Sequence, residues 1–388
     1  KNGKIVTPTG FIENKVLIIE EDKITAFAED TKGAEKVVNA HGRYIIPGLI
    51  DVHSDKIEQY IQPRPTSQVD FEFGLKICER DLLGAGITTM YHSLSLFGDE
   101  FFGTSPLRTK ENVQKIADLI AGIHKRNHLI HHRFHLRIEI DNLEAYDIAK
   151  EMIQQDKVHQ ISFMNHSPGQ GQYRSMASYR DTIAKYNGKH KGKEVKLLSG
   201  KELQEYHSSK PKLSFTQLKQ LTELAHYHGI PVASHDDDTI EKLEENLQIG
   251  VDISEFPIST ATAKAATARG LYTVVGGPNI LRGCSHSGNM SAANAILEGC
   301  ADIICSDYYP SSILHSIFLM HIKHGVPLHQ MVNMATLNPA KAMRIDSDYG
   351  CIEQGKKADV LIVDILDGYP VITHSFVDGK NMSRIEYR

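Results

Sequence analysis

The chain has 388 residues, enough for two or three units of about 150 residues or for one large barrel. With 41% hydrophobic and 23% charged residues, its composition is that of a folded globular protein rather than a disordered one. The formal charge of −5 argues against a nucleic-acid binder held by global charge, and no apolar run approaches the roughly 18 residues of a membrane-crossing helix. No cationic–apolar signal segment opens the chain. Five cysteines, an odd count with no C-x-x-C pair, predict reduced thiols in a cytoplasmic protein. The 21 histidines carry more information, because imidazole is both the commonest metal ligand and the usual acid–base near neutrality. The cluster His124, His128, His131, His132 and His135 reads as solvated or locally bonded rings.

In chain order, short β-rich runs come first, at 15–20, 23–28 and 36–38; two more, at 358–363 and 371–377, close the chain. Chain ends tend to lie close together, so 1–46 and 350–388 are expected to form one small β-sandwich around a middle of another kind, 47–349. That middle alternates helix and strand. Phe71, Leu75, Cys78 and Leu82 form a helical stripe that stops at Gly84 and Gly86, before a strand at 87–92. Val113, Ile116, Ala117 and Ile120 form the next stripe, before a strand at 134–140. Ser214 is a helix N-cap for the stripe Leu218, Leu221, Leu224 and Ala225; Gly229 stops that helix, and 230–235 reads as a buried strand. Helices at 239–247, 261–268 and 290–297 each precede a further strand, and a last helix is expected over 328–336. Eight strand ends result: His53/Asp55, His92, Glu139, His166, His235, Glu255, Gly276 and Asp307. Eight βα units predict an α/β protein with a (β/α)₈ TIM-type barrel, whose chemistry sits at the C-terminal ends of its strands. A polar insertion at 180–215, with nine basic residues against four acidic, interrupts the pattern at the barrel mouth and reads as a solvated excursion or a cover over an anionic substrate.

The polar residues fall at those ends. In Pro47-Gly48-Leu49-Ile50-Asp51-Val52-His53-Ser54-Asp55, residues two apart share a strand face, so His53 and Asp55 make a two-point chelate. Glu139, His166, His235 and Asp307 each end an apolar run, where an unpaired polar group is costly to bury. One such residue is ordinarily a satisfied core group; this many at one barrel mouth predict a metal site. The six donors exceed what one tetrahedral ion needs, so two divalent ions are expected, with Glu139 between them. His53, Asp55 and Asp307 would hold one, and His166 and His235 the other. Nitrogen and oxygen donors without thiolate allow zinc, manganese or iron. Asp307 is the candidate catalytic base.

Two glycine-bearing stretches bring backbone N–H groups and side-chain donors to the same face. Ser167 to Arg174 supplies Gln170, Gln172 and Arg174; Arg282 to Met290 supplies Arg282, Ser287 and Asn289. With Arg64 these are the candidate substrate-binding residues, suited to phosphate groups.

Gly42-Arg43-Tyr44-Ile45-Ile46-Pro47-Gly48-Leu49-Ile50-Asp51-Val52-His53 and Asn338-Pro339-Ala340-Lys341-Ala342, with Gly355-Lys356-Lys357-Ala358-Asp359-Val360, resemble the entry and exit of the amidohydrolase superfamily barrel. Most members carry H-x-H where this chain has His53-Ser54-Asp55. That motif, Pro63-Arg64-Pro65, Asn165-His166-Ser167-Pro168-Gly169-Gln170-Gly171-Gln172, the 282–289 stretch and Ser306-Asp307-Tyr308-Tyr309-Pro310 are similar to one branch, ribose-triphosphate diphosphatases of phosphonate catabolism. The resemblance implies a metal-dependent hydrolase that releases diphosphate from a small-molecule ribose triphosphate, with assembly into a homo-oligomer by analogy. The alternatives are a family member acting on C–N bonds, such as a deaminase or cyclic amidase, and a non-catalytic scaffold protein of the same fold.

Overall fold

Where a helix ends and the chain must reverse into a buried strand, left-handed backbone and small residues are required, and Gly86 meets both needs. It follows α1 (Lys56–Ile61) and α2 (Phe71–Gly84) and takes φ +88°. A Cβ there would lie 2.7 Å from Ile372 Cδ1. α2 itself is started by Asp70, whose carboxylate accepts from the Phe73 amide at 3.0 Å, and it buries Leu75, Cys78 and Leu82. These features belong to a computed structural model, which describes residues 1–64, 66–96, 106–167, 171, 209–285 and 289–388.

Eight parallel strands form one sheet in sequential order: β6 (Leu49–Ser54), β7 (Ile87–Leu96), β8 (His131–Glu139), β9 (Gln160–Met164), β10 (Val232–His235), β11 (Ile253–Glu255), β12 (Tyr272–Gly276) and β13 (Ile303–Cys305). The numbering counts β1 (Lys4–Thr7), β2 (Gly10–Ile12), β3 (Val16–Glu20), β4 (Lys23–Ala28) and β5 (Tyr44–Pro47) before them. The ring is drawn together where its first and last strands meet. The Asp307 amide donates to His53 O at 3.0 Å, the Asp55 amide to Asp307 O at 3.2 Å, and the Ser306 amide to Asp51 Oδ1 at 3.0 Å. Helices pack outside. On β8 the even residues Phe134, Leu136 and Ile138 join the helix-facing core, so the odd ones face inward. The strand at 87–92 runs on to Leu96. His92 is therefore mid-strand rather than a strand end, and it faces the helices: its Nε2 lies 2.8 Å from His132 Nδ1, and His132 Nε2 lies 3.2 Å from Glu79 Oε2 on α2.

The chain ends build a second, six-stranded sheet in the order β16 (Lys380–Arg384), β15 (Tyr369–Val377), β14 (Val360–Leu366), β5, β1, β2. β3 and β4 form a separate hairpin across a small apolar core containing Ile5, Ile24, Ile45, Val360 and Ile362. Residues 36–38 are not a strand; they run as irregular chain beside that core. The sheet is continuous with the barrel packing, because Leu361, Val363, Ile372 and Val377 share the core of α2 and β7. Gly48, between β5 and β6, has no room for a side chain, since a Cβ would stand 2.1 Å from Thr88 Oγ1. Among the described residues, no helix is long and apolar enough to cross a membrane.

The helix Phe215–Tyr227 starts as its sequence predicts: Ser214 accepts from the Gln217 amide, and the Gln217 side chain accepts from the Ser214 amide at 2.9 Å. Just before it, the Leu213 amide donates to Ile140 O at 2.7 Å and Lys210 Nζ lies 3.4 Å from Asp141. The insertion thus rejoins the body at the C-terminal end of β8; its residues 180–208 lie outside those described.

Candidate metal centre

Inward-facing residues at the C-terminal ends of the strands converge. His53 and His235 lie tilted to one another at 5.5 Å between ring centroids, and His135, two residues before Arg137 on the same strand, meets His53 edge-on at 5.2 Å. His53 Nδ1 lies 3.2 Å from Glu255 Oε1, and His166 Nδ1 lies 2.5 Å from Glu139 Oε1. Two groups of three offer ligand atoms within 4.8 Å of one another: His53, His235 and Glu255, and His166, His235 and Asp236. His235 belongs to both. Asp55 and Asp307 belong to neither, although their backbones are joined at the ring closure. Asp55 also terminates its strand differently from simple alternation. β6 has a register shift between Asp51 and Ser54, ends at Ser54, and leaves Asp55 as the N-cap position of α1, with Oδ2 3.7 Å from Arg108 Nη2.

Three strand exits share a backbone device. Asp236, Phe256 and Asp307, which follow β10, β11 and β13, all take left-handed φ of 55°, 55° and 57°. Such a conformation is unfavourable for non-glycine residues and concentrates at functional sites. Here it falls where each strand gives way to the loop that follows it.

The electrostatics favour a cation. Asp55, Glu139, Asp236, Glu255 and Asp307 crowd one rim, against Arg137 within the barrel and Arg108 at the edge. Arg137 donates from Nη2 to His235 Nε2 at 3.3 Å and from Nε to Met164 Sδ at 3.0 Å. Burial, and next the Asp55 carboxylate, push Asp307 up to about 7. Burial raises Glu139 and Asp236, but His166 beside the first and His235 beside the second hold both below the ordinary carboxylate value. Burial, followed by the charge of Arg137, keeps His53 far below its usual value, and burial takes His135 down to about 3. Neutral imidazoles have a lone pair to give to a metal. His53 Nδ1, His235 Nδ1, Asp55 Oδ1 and Glu255 Oε2 are buried and make no hydrogen bond. Surplus negative charge, the neutral His53 ring and orphaned donor atoms together fit a divalent ion.

Of the expected substrate-binding residues, Arg64 and Arg282 are exposed, and neither makes a hydrogen bond or ion pair with the histidines and carboxylates of the centre. Asn289 is half-buried. Gln170, Gln172, Arg174 and Ser287 lie outside the described residues. Sequence reasoning missed Glu255 and Asp236 as ligands and Arg137 as a site residue. Each had a signal: Glu255 ends the predicted strand that carries Val251 and Ile253, Asp236 adjoins His235, and Arg137 stands two residues before Glu139 on the same strand face. Of the cluster expected to be solvated or locally bonded, His135 is a bonded ring, fully buried between Ser93 and Ser162.

A barrel with histidines and carboxylates at its C-terminal rim, entered from one sheet strand and left into another, is the architecture of the amidohydrolase family, and this chain belongs to that family: its profile matches residues 132–385. Among individual relatives, the chain is 32% identical over 384 residues to the alpha-D-ribose 1-methylphosphonate 5-triphosphate diphosphatase of Escherichia coli strain K12, covering 96% of this chain and 97% of that one. It is 23% identical to the 5'-deoxyadenosine deaminase of Methanosarcina mazei, over 94% of this chain and 84% of the other. Among solved structures it resembles N-acetylglucosamine-6-phosphate deacetylase from Pasteurella multocida, with a TM-score of 0.65 at 13% identity and 98% of each chain covered.

Proposed function

We propose that this chain is a metal-dependent phosphoric anhydride hydrolase that releases diphosphate from α-D-ribose 1-methylphosphonate 5-triphosphate in phosphonate catabolism. The observation that carries the reading is the end-to-end likeness to a diphosphatase of that name, joined to a rim rich in carboxylates and carrying His-x-Asp at the end of its first strand. Two divalent ions of zinc, manganese or iron, when bound, would supply Lewis acidity and positive charge against the phosphate oxygens. His53, His235 and Glu255 would hold one and His166, Glu139 and Asp236 the other, with Asp55 and Asp307 at the rim.

The remaining chemistry belongs to the side chains. Water attacks the α-phosphorus, the bond to the diphosphate oxygen breaks, and that oxygen leaves with the electron pair. Asp307 orients the water and accepts its proton. Arg137 offsets part of the carboxylate charge, and the bound cations would supply the rest of the positive charge that a polyanion needs at this rim. Arg64, Arg174 and Arg282, with Gln170, Gln172, Ser287 and Asn289, would bind the phosphate chain and the sugar.

Phosphorus NMR of products from the ribose triphosphate carrying methylphosphonate at C1 tests this directly: diphosphate and the 5-monophosphate are expected. Ammonia release from an aminopurine nucleoside, with no diphosphate formed, would replace the reading with the deaminase alternative. No turnover and no bound metal would favour a scaffold protein.

A further inference from the structure

At the opposite end of the barrel, His131 opens β8, Asp359 immediately precedes β14, and Asp378 follows β15. We propose that these three residues form a separate metal site, for a single divalent transition ion such as zinc, that clasps the floor of the barrel to the sheet built from the chain ends. It shares no residue with the upper centre and does not depend on which reaction the upper centre performs.

Geometry carries the proposal. His131 Nε2 lies 3.3 Å from Asp359 Oδ2 and 3.9 Å from Asp378 Oδ1, and all three ligand atoms lie within 4.8 Å of one another. With bonds of about 2.0–2.2 Å, donors around a tetrahedral ion stand roughly 3.3–3.6 Å apart, so an ion fits with small adjustments. His131 and Asp359 are 8% and 7% exposed, and none of the three ligand atoms makes a hydrogen bond. The donors are held for the purpose. Asp359 Oδ1 accepts the Asp378 amide at 2.9 Å, which leaves Oδ2 directed at the imidazole, and the Tyr349 ring packs on His131 at 5.1 Å. Asp378, with a side chain 35% exposed, leaves a path for the ion and room for a water as fourth ligand. Lys357 Nζ stands 3.6 Å from Asp378 Oδ1, but it is also paired with Asp22, which offsets its charge. One imidazole and two carboxylates suit zinc, manganese or iron rather than a soft ion.

The test is a titration of metal-free, full-length protein with zinc chloride, read as bound equivalents after dialysis. Asp378→Asn and His131→Gln should each bind one equivalent fewer than the parent while hydrolysing substrate within twofold of it. His235→Ala should lose zinc from the upper centre and keep the lower equivalent. Unchanged stoichiometry in both lower-site variants overturns the proposal. Should those variants fail to fold, crystals of the parent protein grown with zinc chloride and measured at the zinc absorption edge decide instead. An anomalous peak about 2.0–2.2 Å from the three ligand atoms supports the site. No peak there at saturating zinc means that a protonated His131 simply pairs with the two carboxylates, and the proposal falls.

Discussion

Asp307 combines a backbone conformation that most residues resist with a carboxyl group pushed up to about 7. Asparagine is among the few residues that tolerate left-handed φ, so Asp307→Asn removes the proton acceptor without disturbing the turn. We expect diphosphate release to fall by about 10³-fold, within the range for loss of a general base, with a melting temperature no lower than that of the parent. Wild-type turnover in this variant would exclude Asp307 as the base. At this scale much was legible. Period-two alternation and the cost of burying charge pointed to His53, Glu139, His166 and His235, and all four lie at the same rim. What sequence did not reveal was backbone detail. A register shift in β6 leaves Asp55 past the strand end while His53 stays within it, and one acid at the end of a three-residue strand, Glu255, looks no different from a structural one until the strands are in place.

Elements were the most readable level, because an apolar stripe every three to four residues has few explanations other than a helix on a core. The stripe of α2 was read correctly, yet Glu79, beside Cys78 on that same buried face, was invisible to it. Glu79 accepts the Leu129 amide at 2.8 Å and faces His132, which in turn meets His92. Burial pushes the Glu79 carboxyl up, but the His132 and Leu129 hydrogen bonds outweigh it and hold the group below its ordinary value. A depressed folded value means that the carboxylate contributes stability above its unfolded pKa of about 4.3, and that this is lost as pH falls through the folded value. Glu79→Gln should therefore destabilise the protein by about 2 kcal/mol at pH 7 in urea unfolding, with the gap to the parent narrowing below pH 4. A gap that stays constant with acidification would show that packing, not charge, is responsible. The run at 36–38 failed for the converse reason: three residues are too few for periodicity to separate a strand from extended chain.

For the whole molecule, the two β-rich ends gave away the second sheet, while its strand order, with β14 beside β5, could not be read from local pattern. β15 carries Ile372 and Val377 into the core shared with α2, and Arg43 and Asp364 join the two ends at 2.7 Å. Removing residues 369–388 would expose that core and strip a neighbour from β14. We expect the shortened chain to lose its cooperative thermal transition and to collect in the insoluble fraction. A soluble product with the parent's melt would show that the barrel does not need the sheet.

The ring closure has a further consequence for how the protein comes into being. Asp51 and Ser306, which lie 255 positions apart, must meet before the rim is complete, and contacts between such distant stretches form slowly. A nascent chain still lacking its last strand carries His53 with no fixed geometry around it. If the rim holds an ion, capture there requires the finished ring, so in a refolding sample metal uptake that depends on His235 would date the closing of the barrel.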